Sequence, residues 1–234
     1  MIPIRDTVRS RSFPFATLAI IALNGYVFFI ELSLGPHLEA FIRHWGLVPR
    51  AVLRWQALGG LPLDPRRFTP LVTSMFLHGG WGHILGNMLY LWVFGGHLED
   101  RLGHLRFLVF YLLAGVAAAI AQIWAAPLSV MPVVGASGAI AGVLGGYFVT
   151  YPRARILTLI PIFIFPWFVE IPAIVFLGVW FVMQLLSGTA ELGVATAQTA
   201  GVAWWAHAGG FLCGGALALV MPKRSYRRRL SPEY

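Results

Sequence analysis

The sequence predicts an all-α fold: a polytopic membrane bundle of six transmembrane helices with both termini in the cytoplasm. Three observations carry this reading. Of 234 residues, 58% are hydrophobic and only 11% charged, and the mean hydropathy is +0.75, whereas a soluble domain carries about 25% charged residues. Six apolar stretches approach the roughly 20 residues that a bilayer requires. Most basic residues fall beside alternate stretches, as topology signals do.

The six expected spans are Phe15–Leu34, Gly82–Glu99, Leu105–Ala126, Val134–Tyr151, Trp167–Ser187 and Trp204–Met221. Ile156–Phe165 is also apolar, but it is short and bracketed by Pro161 and Pro166. It reads as a re-entrant or interfacial connection, with a longer fifth span as the alternative. Arg5, Arg9 and Arg11 precede span one, and the span is long, with no small-residue cleavage site after Glu31, so it is expected to be retained rather than removed as a signal. Arg101 and Arg106 separate spans two and three, Arg153 and Arg155 follow span four, and Lys223, Arg224, Arg227, Arg228 and Arg229 follow span six. With both ends inside, these residues share the cytoplasmic side, and Arg43, Arg50, Arg54, Arg66 and Arg67 fall in a long outer loop. The organisation is then a cytoplasmic N-terminal segment at 1–14, a membrane domain at 15–222 with its outer loop at about 35–81, and a basic cytoplasmic tail at 223–234.

The net charge of +8 would point to nucleic acid in a soluble protein. Here the basic residues flank apolar spans, so a lipid bilayer is the expected partner and nucleic acid is not. One cysteine, Cys213, excludes an internal disulfide and a Cys-based structural zinc site; among Gly and Ala it reads as a small filler.

In this topology spans two, four and six run in one direction, and their outer ends carry His83 and Asn87, Ser137, and His207. Polar side chains within spans are costly and mark function. Ser137 lies in Gly135-Ala136-Ser137-Gly138, at the expected start of a helix, where free backbone N–H groups and the helix dipole favour negative charge. A Ser in a Gly-rich span is also an ordinary packing residue. His207, in Ala206-His207-Ala208-Gly209-Gly210, is open to structural, proton-relay or catalytic roles. The small-residue rows favour the catalytic reading. Gly210 and Gly214 share the His207 face, Ala141 and Gly145 share the Ser137 face, and Gly138, Gly142 and Gly146 form a second row. Helices with such faces approach closely, which would let the imidazole take the hydroxyl proton as base. His83 and Asn87, at i and i+4, share a face and supply uncharged donors suited to an oxyanion, together with the Ser137 backbone N–H. The plainer reading of that pair is a polar anchor near the headgroups.

No His-Glu-x-x-His pair occurs, and the aspartates are Asp6, Asp64 and Asp100, none mid-span. No metal and no cofactor are therefore expected, and a Ser–His dyad is the economical proposal. Glu99 with Arg101 reads as a structural pair, and Glu170 as interfacial.

Taken together, Arg67-Phe68-Thr69-Pro70, Phe76-Leu77-His78-Gly79-Gly80-Trp81-Gly82-His83, Gly86-Asn87-Met88, Gly96-His97-Leu98-Glu99-Asp100-Arg101-Leu102-Gly103, Gly135-Ala136-Ser137-Gly138-Ala139-Ile140 and Ala206-His207-Ala208-Gly209-Gly210 resemble the rhomboid intramembrane serine proteases from about Arg67 to Gly214. The resemblance implies Ser137 as nucleophile, His207 as general base and acid, and His83, Asn87 and the Ser137 N–H as the oxyanion hole. It implies His78 and Arg67 as supports of the outer loop. It also implies single-span membrane proteins as substrates, entering beside span five, where Phe176, Trp180 and Phe181 would suit a lateral gate. The sequence departs from several relatives at Ala141, where an aromatic residue would stack on the catalytic His, so His207 needs another support. A catalytically silent relative that binds membrane proteins, or a His-dependent transporter, are the alternatives; labelling by a fluorophosphonate probe separates the first and vesicle transport the second. Without a transit-like leader, a bacterial inner membrane is the expected location. The oligomeric state is left open.

Overall fold

The computed structural model describes residues 1–54, 64–162, 165–192 and 202–224. The middle of the outer loop (55–63) and most of the basic tail, with Arg227, Arg228 and Arg229, lie outside the described residues.

Helix α1 spans Phe15–Ser33 and is followed by three short helices in the outer loop, α2 (Leu38–Trp45), α3 (Pro49–Leu53) and α4 (Pro70–Thr73). The long helices α5 (Trp81–Leu102), α6 (His104–Ala125), α7 (Ser137–Thr150), α8 (Ala173–Leu192) and α9 (Trp204–Val220) complete the bundle. Three stretches are long and apolar enough to cross a membrane: Phe15–Ser33, His104–Ala125 and Ala173–Ala190. Ser137–Thr150 and Trp204–Val220 are shorter apolar helices. On α1, α6 and α8, large apolar side chains such as Phe29, Trp124 and Leu186 face outward, as a lipid-exposed surface requires.

The fold is not all-α. A three-stranded antiparallel sheet, in the order β1–β2–β3, joins β1 (Ile2–Asp6), β2 (Arg155–Ile162) and β3 (Phe165–Pro172). Within the stretch expected to be a re-entrant or interfacial connection, residues 156–162 are strand, and the expected fifth span begins late: Trp167–Pro172 is extended and the helix starts at Ala173. The reason is local. Ile156, Thr158, Ile160, Val169 and Ile171 favour the pleated conformation, and Pro161, Pro166 and Pro172 disfavour helix. Pro161 pairs with Pro166 one pair from the connection between β2 and β3, beyond the last β1 pairing at Leu159, where a missing donor costs least. The N-terminal segment supplies the third strand, with Ile2 opposite Leu159 and Asp6 opposite Ile156.

The sheet lies at the basic end of the bundle, and polar anchors fasten that end. Asp6 accepts from the Tyr147 hydroxyl of α7 and pairs with His97 Nε2 of α5 at 2.9 Å. Asp100 accepts from the Ser12 backbone at 2.8 Å. Glu99, fully buried, accepts from the Ala16 and Thr17 N–H groups at 2.8 and 2.7 Å and from the Thr17 hydroxyl at 2.7 Å. A carboxylate is thus set against the first turn of α1, where free amides and the dipole favour it. Its ion-pair partner among the described residues is His104, not Arg101. The Arg224 N–H reaches the Arg101 carbonyl at 2.7 Å, so the end of α9 meets the α5–α6 turn there too.

Helix α7 is the centre of the core, with every residue from Gly138 to Tyr147 buried. It packs most extensively on α9 and also meets α5, α6 and α8. A Cβ on Gly210 would overlap the carbonyl of Gly138, one on Gly214 that of Gly142, and one on Gly145 that of Phe211. The two backbones touch without side chains between them, the geometry small-residue rows permit. Gly214→Ala should lower unfolding stability by at least the ~1–3 kcal/mol typical of overpacking. Gly25→Ala, where an added Cβ meets open space, should be neutral or stabilising, since Ala favours helix over Gly by about 1 kcal/mol. Equal unfolding midpoints for the two variants in detergent would refute this packing.

The outer loop is tied to the same core. Leu47 pairs with Val133 as an isolated bridge and buries with Val52, Ala119 and Ile123. The His78 N–H, in the loop leading into α5, donates to both Glu31 carboxylate oxygens at 3.1 Å. Burial, reinforced by the neighbouring His83, lowers the His78 pKa from 6.5 to about 4. The folded imidazole stays neutral while the unfolded one takes a proton as pH falls through 6.5, so stability is lost as pH drops from 6.5 towards 4. His78→Gln should remove this component from the pH dependence of thermal unfolding, so that wild type loses more stability than the variant between pH 6.5 and 4; superimposable wild-type and variant profiles would remove His78 as its source.

Candidate active site

Helix α7 is short for a reason visible in its first residues. The apolar run places the start of the span at Val134, but Gly135 has φ +124°, in the left-handed region that favours glycine, and its N–H donates to the Ser74 carbonyl at 2.9 Å. The helix is thereby delayed, and Ser137 is its first residue. A helix of 14 residues is shorter than the roughly 20 a bilayer requires. The first-turn N–H groups of α7 have no intrahelical acceptor and gather beside its hydroxyl.

A cavity of about 720 Å³ opens at this point, away from the basic end. Ser137, His207, His83 and Asn87 all line it, with Trp180 and Gln122. The first four come from near the beginnings of three helices: α7, α9 and α5. Helix α9 is set by Gln122 of α6, whose side-chain oxygen accepts the Ala206 N–H at 3.2 Å. The glycine seam then brings the His207 turn alongside the start of α7: Gly138 and Gly210, each one turn or less from these residues, are in backbone contact. Gly142 and Gly214 repeat the contact one turn further on.

His83 and Asn87 converge on the backbone that precedes Ser137. A Cβ on Gly135 would lie 2.6 Å from His83 Nε2 and 3.6 Å from Asn87 Nδ2. A larger residue there would have to displace the His83 ring. His83 Nδ1 accepts the Gly79 N–H at 3.4 Å; in the neutral ring this leaves the proton on Nε2, the atom that faces Gly135. Asn87 Nδ2 lies 3.0 Å from His78 Nε2. His78 thus does more than support the loop, because it holds the amide of Asn87 in place. Arg67 does serve the loop, donating to the Val52 carbonyl at 2.8 Å.

The row expected on the fifth span divides. Phe176 is buried against Phe94 of α5, whereas Trp180 and Phe181 pack on Phe211 of α9. Ala141 leaves the His207 ring without an aromatic neighbour from that position of α7, and α8 supplies one instead. The Trp180 ring lies 5.9 Å from that of His207, tilted by 35°. One turn on, buried Gln184 places its side-chain oxygen 2.7 Å from His207 Nδ1. Gln184 is not among the residues that the sequence pattern singles out. A Gln inside an apolar stretch, four residues after Trp180, is the signal that could have found it.

The family model described as Rhomboid domain matches residues 65–224. Rhomboid protein 1, mitochondrial, of Saccharomyces cerevisiae is 37% identical over 100 residues, covering 41% of this chain and 28% of that protein. Rhomboid protease GluP of Bacillus subtilis is 44% identical over 75 residues, covering 32% of this chain and 14% of that protein. RHOMBOID-like protein 6, mitochondrial, of Arabidopsis thaliana is 37% identical over 75 residues, 32% of this chain and 24% of that protein. The matches therefore span less than a third of each of these relatives. With the family model covering more than half of the chain, on a bundle of apolar helices, this integral membrane protein belongs to the rhomboid family.

Proposed function

We propose that the chain is an intramembrane serine endopeptidase that hydrolyses peptide bonds in or near transmembrane segments of membrane-protein substrates through a Ser137–His207 dyad. The observation that carries this reading is the cavity lined jointly by Ser137, His207, His83 and Asn87. On this reading α1 and α5 to α9 cross the bilayer, with both termini on the cytoplasmic side. That orientation is supported by the basic end, where β1, the α5–α6 turn, Arg155 of β2 and Arg224 gather. A bacterial inner membrane is the proposed setting, and the named relatives include bacterial and mitochondrial proteins.

The chemistry balances with these groups alone. Ser137 Oγ attacks the scissile carbonyl carbon while its proton passes to His207, and the carbonyl becomes an oxyanion. His83 Nε2–H, the Asn87 amide and the Ser137 N–H stabilise that charge. The carbon–nitrogen bond breaks, the amine leaves with the proton from His207, and an acyl ester remains on Ser137. Water gives a proton to His207 and attacks the ester, and the proton returns to Ser137 Oγ as the acid departs. The cavity supplies the water that lipid excludes, since about 720 Å³ is many times the ~30 Å³ share of one water molecule.

Single-span proteins are the proposed substrates, admitted laterally beside α8. A helical peptide bond is hydrogen-bonded and shielded, so the substrate must unwind before attack, which favours weakly helical segments. Purified protein incubated with a single-span reporter should cleave it, while Ser137→Ala and His207→Ala should be inactive and Ser137→Ala should no longer react with a fluorophosphonate probe. Asn87→Ala should retain slow cleavage, down about 10²–10³-fold as for loss of one oxyanion donor. Wild-type protein that neither cleaves nor labels would favour the catalytically silent binder. Replacing Gly or Ala near the reporter's cleavage site with Leu should slow cleavage, and unchanged rates would count against required unwinding.

A further inference from the structure

We infer that Gln184 is the positioning residue for His207: it fixes the tautomer and orientation of the base from α8, in place of a carboxylate or an aromatic residue on α7. The inference rests on His207 acting as the base. Gln184 is buried at 7% relative exposure, and its two amide atoms have different partners. Its Nε2 donates to the Trp180 carbonyl at 3.2 Å, the i−4 position on its own helix. Its Oε1 lies 2.7 Å from His207 Nδ1. The first bond decides the second. Turning the amide over would set Oε1 against the Trp180 carbonyl oxygen, two acceptors facing one another, so the oxygen must be the atom presented to the imidazole.

An acceptor opposite Nδ1 requires the proton to be on Nδ1. In a neutral imidazole the other nitrogen, Nε2, then carries a bare lone pair, the state a base needs to accept a hydroxyl proton. Once His207 is protonated, both ring nitrogens donate, and the Nδ1–H bond to Gln184 persists without rearrangement. The Trp180 ring lies over the same imidazole and limits its rotation, so α8 provides both contacts from adjacent turns. A neutral amide suits a site within the membrane, where a buried carboxylate would carry a heavy desolvation cost.

The test compares full-length Gln184→Met and Gln184→Glu with wild type in detergent, using a single-span reporter. Methionine matches the length and fills the space but has no acceptor oxygen. Glutamate keeps an oxygen for Nδ1 in either protonation state. Gln184→Met should lower kcat about 10–100-fold with KM within about twofold, short of the roughly 10⁴-fold seen when a charged orienting group is replaced by one that holds the wrong tautomer. Gln184→Glu should recover most of the lost kcat. A merely structural role would make glutamate at least as damaging as methionine. If Gln184→Met does not fold, Gln184→Asn carries the test: its amide is one methylene short of Nδ1, so kcat should fall by a similar factor. Full activity in Met or Asn, or a Glu variant no better than Met, would overturn the inference. Cleavage by His207→Ala would instead overturn the assignment of the base itself.

Discussion

The contact on which the rest of the structure depends is the side-chain-free approach of α7 to α9. Gly138 against Gly210, Gly142 against Gly214, and Gly145 against the Phe211 carbonyl leave no room for a single methyl group. In lipid, helices gain little from burying apolar surface against each other, because the alternative neighbour is equally apolar. Association then rests on close packing, and glycine is the residue that permits most of it. The same approach sets where the proposed chemistry would occur: Ser137 and His207 both sit at the cavity end of this seam. A residue of normal size anywhere along it would tilt the helices apart and widen the space between hydroxyl and imidazole.

The second constraint is the length of α7. Gly135, with its positive φ and with His83 Nε2 against its backbone, stops the helix from extending outward through Val134. Ser137 thereby becomes the first residue of the helix and lines the cavity, and the Gly135 N–H bonds to the Ser74 carbonyl. One glycine links backbone conformation, the start of the helix and the placement of two donors. Replacing it would disturb all three together, so a loss of function there would not identify which mattered.

Periodicity and composition make the long helices legible, because an apolar run near bilayer length fits little else than a span. The gathering of His83, Asn87, Ser137 and His207 is legible as well, through helix direction rather than through any one residue. The sheet is not. Strands β2 and β3 are largely apolar and eight residues long, and such runs do not separate from buried helix by pattern alone; only the prolines hint at the break. Asp6 and Glu99 are equally opaque, since their partners lie 141 and 83 residues away in sequence, at Tyr147 and Ala16. Gln184 escapes for a different reason. A dyad is found in sequence by looking for groups that react, and an amide does not react.

A division of labour along the bundle axis underlies these differences. At the basic end the anchors are carboxyl groups: Asp6, Glu99 and Asp100 tie the N-terminal segment to α5 and α7, with several donors each. At the cavity end the working groups are imidazoles and amides, His78, His83, Asn87, Gln122, Gln184 and His207, and neutral hydrogen bonds hold them in place. Glu31 is the exception, and both its oxygens are engaged by the His78 N–H. A charge formed in a low-dielectric site is worth most where no permanent charge competes for the same donors. On the proposed reading, keeping Asp6, Glu99 and Asp100 at the far end leaves the first turn of α7, His83 and Asn87 available for an oxyanion that exists only during the reaction. The neutral partner of His207 follows the same rule: an amide orients the base without adding a second negative charge beside the first.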